Sequence, residues 1–209
     1  TENLRIGSRG QPGPALAPVD GKIDEVRIYR TALTQTQIND DKNSRYPIMP
    51  AVASWSFENL VGGQTYDTRH IVKGAQEGAG KFDNDDHVSV ADSPGLDVIA
   101  GEDFSITACI EADMGAPSEM AIVDKRLLLG LDEAKGYSIY LWNGGRFGLQ
   151  LSDDPAFVNY TNYISPNPDL RDGTWHHVAA SVDRDNPSGV VLYVDGTVVL
   201  TGDPTVQPG

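Results

Sequence analysis

The sequence predicts an all-β sandwich of two antiparallel sheets, and three observations carry that expectation. Short runs alternating apolar and polar residues recur along most of the chain, as strands with one buried and one wet face do. The 22 glycines and 13 prolines punctuate those runs as turn signals. Only one short stretch, after Thr34, carries a helix signal. Repeated strands, many turns and almost no helix point to a sandwich or jelly roll.

In chain order, Asn3 to Gly7 form a short alternating strand, and Ser8 to Pro18 form a Gly/Pro-rich loop that cannot be helical. Gly21 to Arg30 (Gly-Lys-Ile-Asp-Glu-Val-Arg-Ile-Tyr-Arg) reads as a strand running into a helical turn, with Thr34 as N-cap for Gln35 to Asn39. Residues 40 to 50 are polar and contain two prolines, the composition of a linker. Ala51 to Phe57 begins a new series of strands, and Leu60 to Gly80 is a glycine-rich excursion. Further strands are expected at Lys81-Phe82, His87 to Val90, Phe104 to Ala112, Met120 to Leu129, Tyr137 to Trp142, Arg146 to Leu151, His176 to Asp183, Val190 to Val194 and Thr197 to Thr201. Asn143-Gly144-Gly145 and Asp195-Gly196 are hairpin turns.

With 16 basic against 30 acidic residues, the formal net charge is -14, which argues against nucleic acid and anionic membrane surfaces as partners. No apolar run approaches the roughly 20 residues a spanning helix needs, so membrane insertion is not expected. The single cysteine, Cys109, has no internal disulfide partner, and alternation makes it a small buried hydrophobe.

From residue 51 onward the order of motifs resembles the laminin-G-like, concanavalin A-like jelly-roll family. The matching pieces are Ala53-Ser54-Trp55-Ser56-Phe57-Glu58, Gly80 to Val88 with Ser93-Pro94-Gly95-Leu96-Asp97, Asp103 to Ile110, Asp172-Gly173-Thr174-Trp175-His176-His177-Val178-Ala179 and Leu192-Tyr193-Val194-Asp195-Gly196. Cys109 departs from the pattern, standing where the family usually carries tryptophan. The resemblance implies a domain that ends in a Leu-Arg-Ile-Gly strand and a Gly-x-Ile-Asp-Glu-Val-Arg-Ile-Tyr strand. Here those pieces are residues 4 to 7 and 21 to 29, ahead of the body.

The expected division is therefore 1–40 as closing strands, 41–50 as linker and 51–209 as main body. The closing strands complete their own sandwich in a circular permutant, the preceding module in a tandem array, or a neighbouring subunit in a strand-exchanged filament. An open sandwich would expose apolar core and unpaired edges, so each arrangement supplies residues 1–40 to a sheet.

The resemblance also implies a structural calcium between first and last strands. The matching positions are Asp67 and Asp24, with Asp20 and Glu58 nearby in pattern. Asp83, Asn84, Asp85 and Asp86 lack the glycine and glutamate of an EF-hand and read as a solvated turn. Sugar binding needs an exposed aromatic platform with polar neighbours. Trp142 beside Asn143 offers one, and Tyr160 and Tyr163 with Phe157, Asn159, Asn162 and Asn167, in a stretch from Asp153 to Pro168 expected as a loop, offer another; packing of the aromatics onto the sheet is the competing use. Asn159-Tyr160-Thr161 is also a glycosylation sequon.

No Glu-x-Asp-x-x-Glu run sets two carboxylates about a glycosidic bond, and Glu111 with Asp113 lacks a third, so no enzyme is expected. His176 and His177 are strand neighbours pointing to opposite faces, unable to chelate one ion together. The expected function is a non-enzymatic extracellular structural or adhesive module of a bacterial surface protein or filament, self-associating through strand complementation. The alternative is a carbohydrate-binding module of a secreted bacterial polysaccharide-degrading system.

Overall fold

The computed structural model describes residues 2–9, 17–57, 65–66, 71–73, 75, 78–83, 86–98, 101–130, 133–152 and 160–206. The leader supplies β1 (Leu4–Ile6), β2 (Gly21–Tyr29) and α1 (Gln35–Asn43). There follow β3 (Ala53–Trp55), β4 (Thr65–Tyr66), β5 (Ile71–Lys73), β6 (Gly78–Phe82), β7 (Val88–Val90), β8 (Phe104–Ala112) and β9 (Met120–Gly130). The chain continues through β10 (Glu133–Trp142), β11 (Arg146–Ser152), β12 (Tyr160–Ile164), β13 (Trp175–Val182), β14 (Val190–Val194) and β15 (Thr197–Gly202), with a short 3-10 turn at Pro204–Val206.

Two antiparallel sheets result. The first runs β12-β11-β10-β9-β1-β7-β4 and the second β15-β14-β13-β8-β2-β6-β5, with β3 also paired to β2. The two leader strands lie in the middle of different sheets. Arg5 of β1 stands opposite Asp124 of β9 on one side and Ser89 of β7 on the other. On β2, Ile23 faces Ile110 of β8 and Gly80 of β6. A strand paired along both edges and covered on both faces is buried throughout, and Ile23, Val26, Arg27, Ile28 and Tyr29 are all shielded from solvent.

Between the sheets, Leu4, Ile6, Ile23, Ile106, Ile122, Ile139, Phe147, Leu149, Val178 and Leu192 belong to one apolar core. Each such side chain contributes on the order of 1.5–3 kcal/mol of burial free energy. The pairing of β2 with β8 slips between Asp24 and Arg27, where Glu25 has a φ of 51°. This bulge lets Ile23 and Val26, three positions apart, both enter the core. Cys109 pairs with Asp24 and is buried, on the face opposite the core. Burial, then the Asp24 and Glu25 carboxylates, push its thiol up to about 12, so it is inert at neutral pH.

The outer face of the second sheet is covered by α1 and the turn before it. Thr34 caps the helix as expected, in a capping box with Gln37. The Ser105 hydroxyl accepts from the Leu33 N–H and donates to the Thr31 carbonyl, holding this turn on β8. Tyr29, Leu33, Ile38, Ala179 and Tyr193 form a second, smaller apolar cluster beneath the helix.

Two stretches differ from the sequence reading. Residues 41–50 have the composition of a linker, yet 41–43 are helical, Asp41 is buried, and Ile48 and Met49 pack on the second cluster. Composition does not show that one buried ion pair anchors a polar segment. β12 lies in the stretch expected as a loop, and β4 and β5 in the glycine-rich excursion. Of β12 only Tyr163 is buried, so its strand character comes from its ladder with β11 and not from its own pattern.

Candidate functional site

Strands β9 to β12 turn alternate residues away from the core, and those residues line a cleft of about 230 Å3. Tyr137, Ile139 and Leu141 of β10 face inward, so Tyr140 and Trp142 face outward. The same alternation places Phe147, Leu149 and Leu151 of β11 inside and Gln150 outside. The lining comprises Arg126 of β9, Tyr140 and Trp142, Gln150, and Tyr160 and Asn162 of β12; Arg9 and Glu119 form an ion pair beside them.

Register explains how residues on four strands meet. The Asn143–Gly145 turn sets Tyr140 opposite Gly148. A Cβ at Gly148 would lie 2.9 Å from the Tyr140 ring, so glycine is what allows that ring to lie across β11. The Tyr140 hydroxyl thereby reaches β12 and donates to Asn162 Oδ1 at 3.0 Å. Burial pushes this phenol up, which keeps it a donor. Gln150 Nε2 donates to the same oxygen at 2.7 Å, and Gln150 Oε1 accepts from Arg126, whose Nε donates to the buried Asp124. The Tyr140 and Trp142 rings meet edge to face, with centroids 6.3 Å apart. Trp142 and Tyr160 remain 37% and 44% exposed, leaving ring surface for a ligand.

Of the expected sugar-binding residues, Trp142 and Tyr160 meet in this cleft, while Asn143 and Tyr163 do not. Asn143 lies in the hairpin turn, its carbonyl accepting from Arg146 Nε at 3.0 Å. Tyr163 is odd-numbered relative to Tyr160, points inward, and donates its hydroxyl to the Asp203 carbonyl at 2.7 Å. Sequence reasoning missed Arg126, Tyr140, Gln150, Arg9 and Glu119. The hairpin register was enough to set Tyr140 and Gln150 on one face; Arg126 and Asn162 join them only through the sheet.

The calcium positions are not brought together among the described residues. Asp67 and Glu58 lie outside them. Asp24 is fully buried, with Oδ1 accepting from the Glu25 N–H at 2.8 Å and Oδ2 from the Ala75 N–H at 3.0 Å. Asp20 stands four residues earlier, about 13 Å along an extended strand, so its carboxylate cannot share an ion with Asp24. The residues in place therefore fit a calcium in part: Asp24 offers one carboxylate of the several oxygens such an ion takes, and Asp20 does not reach it. Among the described residues, no group of three or more His, Cys, Asp and Glu side chains could hold a metal ion. His176 bonds Asp195 and Asp172, and His177, on the opposite face, approaches Asp41 at 3.6 Å. No helix among the described residues is long and apolar enough to cross a membrane.

Neither comparison with curated proteins nor comparison with solved structures gives a match. Residues 82–209, more than half of the chain, match the laminin G family model described as Concanavalin A-like lectin/glucanases superfamily. The matched stretch starts after β1 and β2, the strands that stand before it in the chain and inside its sheets in space. With its two-sheet jelly-roll sandwich and that match, the chain belongs to the concanavalin A-like lectin/glucanase superfamily.

Proposed function

We propose that this domain is a non-enzymatic, lectin- or adhesion-type module acting outside the cell, and that it binds a glycan in the cleft of the first sheet. One observation carries the reading: two partly exposed aromatic rings, Trp142 and Tyr160, share a cleft with the fixed polar groups Arg126, Gln150 and Asn162. A sugar ring presents an apolar face to an aromatic platform and hydroxyls to amides, which is what such a lining offers. A glycan array tests it. Wild-type protein is expected to bind at least one oligosaccharide, and Trp142→Ala is expected to lose that binding while keeping its melting temperature. An array without a single specific signal removes the reading.

A second reading is a self-associating adhesive repeat or filament. It is favoured by the leader's pairing: among the described strands, β1 and β2 pair with ones that follow residue 50, and the same contacts serve a neighbouring copy equally well. Light scattering over a range of concentrations separates the two arrangements. Strand exchange predicts mass rising with concentration; closure within one chain predicts a constant mass. A calcium beside Asp24 belongs to the proposal as a stabilising ion, with no part in the cleft.

A further inference from the structure

The polarity of the cleft's hydrogen bonds bears on which glycan it takes, an inference resting on the glycan reading above. A guanidinium only donates, so Arg126 orients every amide beyond it. Its Nη1 donates to Gln150 Oε1, which leaves Gln150 Nε2 as the group facing β12. That nitrogen donates to Asn162 Oδ1, and the Tyr140 hydroxyl donates to the same atom. Both lone pairs of Oδ1 are then used. Asn162 is an exposed residue of the lining, and what it has left to offer a ligand is Nδ2 with its two N–H groups.

The neighbouring groups have the same bias. The Trp142 indole is donor-only, and Trp142 is partly exposed. Among the acceptors, Gln150 Oε1 and Asp124 Oδ1 are engaged by Arg126, and Glu119 Oε1 by Arg9. A neutral sugar hydroxyl both donates and accepts, so it uses such a lining only in part. An anionic oxygen accepts several bonds at once, and hydrogen bonds to charged groups are the stronger kind.

We infer that the cleft takes a carbohydrate bearing an isolated anionic group, a carboxylate or a sulfate, which accepts from Asn162 Nδ2 while the ring lies on Trp142. The charge balance limits the density of that charge. Arg9 and Arg126 are matched by Glu119 and Asp124, and the chain as a whole carries -14, so a densely sulfated polyanion is repelled where a single acidic group is held.

The test is an array of uronate-bearing and sparsely sulfated oligosaccharides, each beside its carboxyl-reduced or desulfated counterpart, followed by calorimetry on the best pair. The acidic member is expected to bind about tenfold tighter or more, the range for one hydrogen bond to a charged group. Asn162→Asp keeps the oxygen that Gln150 and Tyr140 need and replaces the donor with a second acceptor. It is expected to lose about tenfold or more for the acidic sugar and distinctly less for the neutral one, whose hydroxyl can donate to the new oxygen. Carboxylate-only or sulfate-only binding supports the inference and names the group. Equal affinity for both members of every pair, or an equal loss on Asn162→Asp, overturns it and leaves the glycan reading standing. Absence of binding to any sugar, acidic or neutral, takes both away.

Discussion

Arg27 places one guanidinium nitrogen, Nη1, 2.9 Å from both the backbone carbonyl and the carboxylate Oδ1 of Asp41. Its other terminal nitrogen bonds Glu25 and the Ser44 carbonyl, and the Tyr29 hydroxyl donates to the same Asp41 oxygen. Strand β2 and helix α1 are joined through this buried pair, Arg27 being 1% exposed. Apolar contact at the helix is slight, since Ile38 and Asp41 are its buried residues.

Removing one partner strands the other charge in the interior. Asp41→Ala and Arg27→Ala are each expected to cost about 3–5 kcal/mol in urea unfolding. Replacing Glu25, Arg27 and Asp41 together by apolar residues of similar size is expected to cost much less, because no buried charge is then left behind. Equal losses in the single and triple variants would show that packing, and not charge, holds the helix.

Stability is expected to fall with acid through Asp41. Burial opposes its ionisation, but the His177 ring, the Tyr29 hydroxyl and the Arg27 charge together hold the carboxyl below its ordinary value. A carboxyl depressed in the fold stabilises it above the unfolded value, about pH 4, and that contribution drains as pH falls toward the lower folded value. Asp41→Asn is expected to flatten this acid limb of the melting-temperature profile.

Gly148 tests the cleft through the Tyr140 ring that lies over it. Its substitution by alanine drives a methyl into the Tyr140 ring, at a cost on the order of 1–3 kcal/mol. With the ring displaced, its bond to Asn162 is lost, and glycan affinity is expected to fall while Trp142 remains in place. Unchanged affinity in titration calorimetry would remove Tyr140 from the site.

The calcium proposal predicts a higher melting temperature with calcium than with chelator, because an ion held only by the native state must stabilise it. Asp24→Asn is expected to abolish that difference and Asp20→Asn to leave it intact. An identical melting temperature in wild type with and without chelator removes the ion from Asp24.

The all-β class, most strand positions, the Thr34 cap and the two hairpin turns were legible in the chain, because period-two alternation and turn chemistry are local properties. Trp142 and Tyr160 were legible as aromatics of two separate candidate platforms, and only the sheet brought them into one cleft, while Tyr163 was misplaced beside Tyr160 once its stretch was taken for a loop. Tertiary structure alone decided that residues 41–43 are helix, since their anchor is Arg27 on another element. It alone brought Arg126 and Asn162 to either side of Gln150, because sheet order joins strands whose separation in sequence says nothing of their distance. And it alone put β1 and β2 at the middle of two sheets: a strand's pattern states which face is apolar, whereas its neighbours are set by whichever ladder edges the folded chain leaves to be paired.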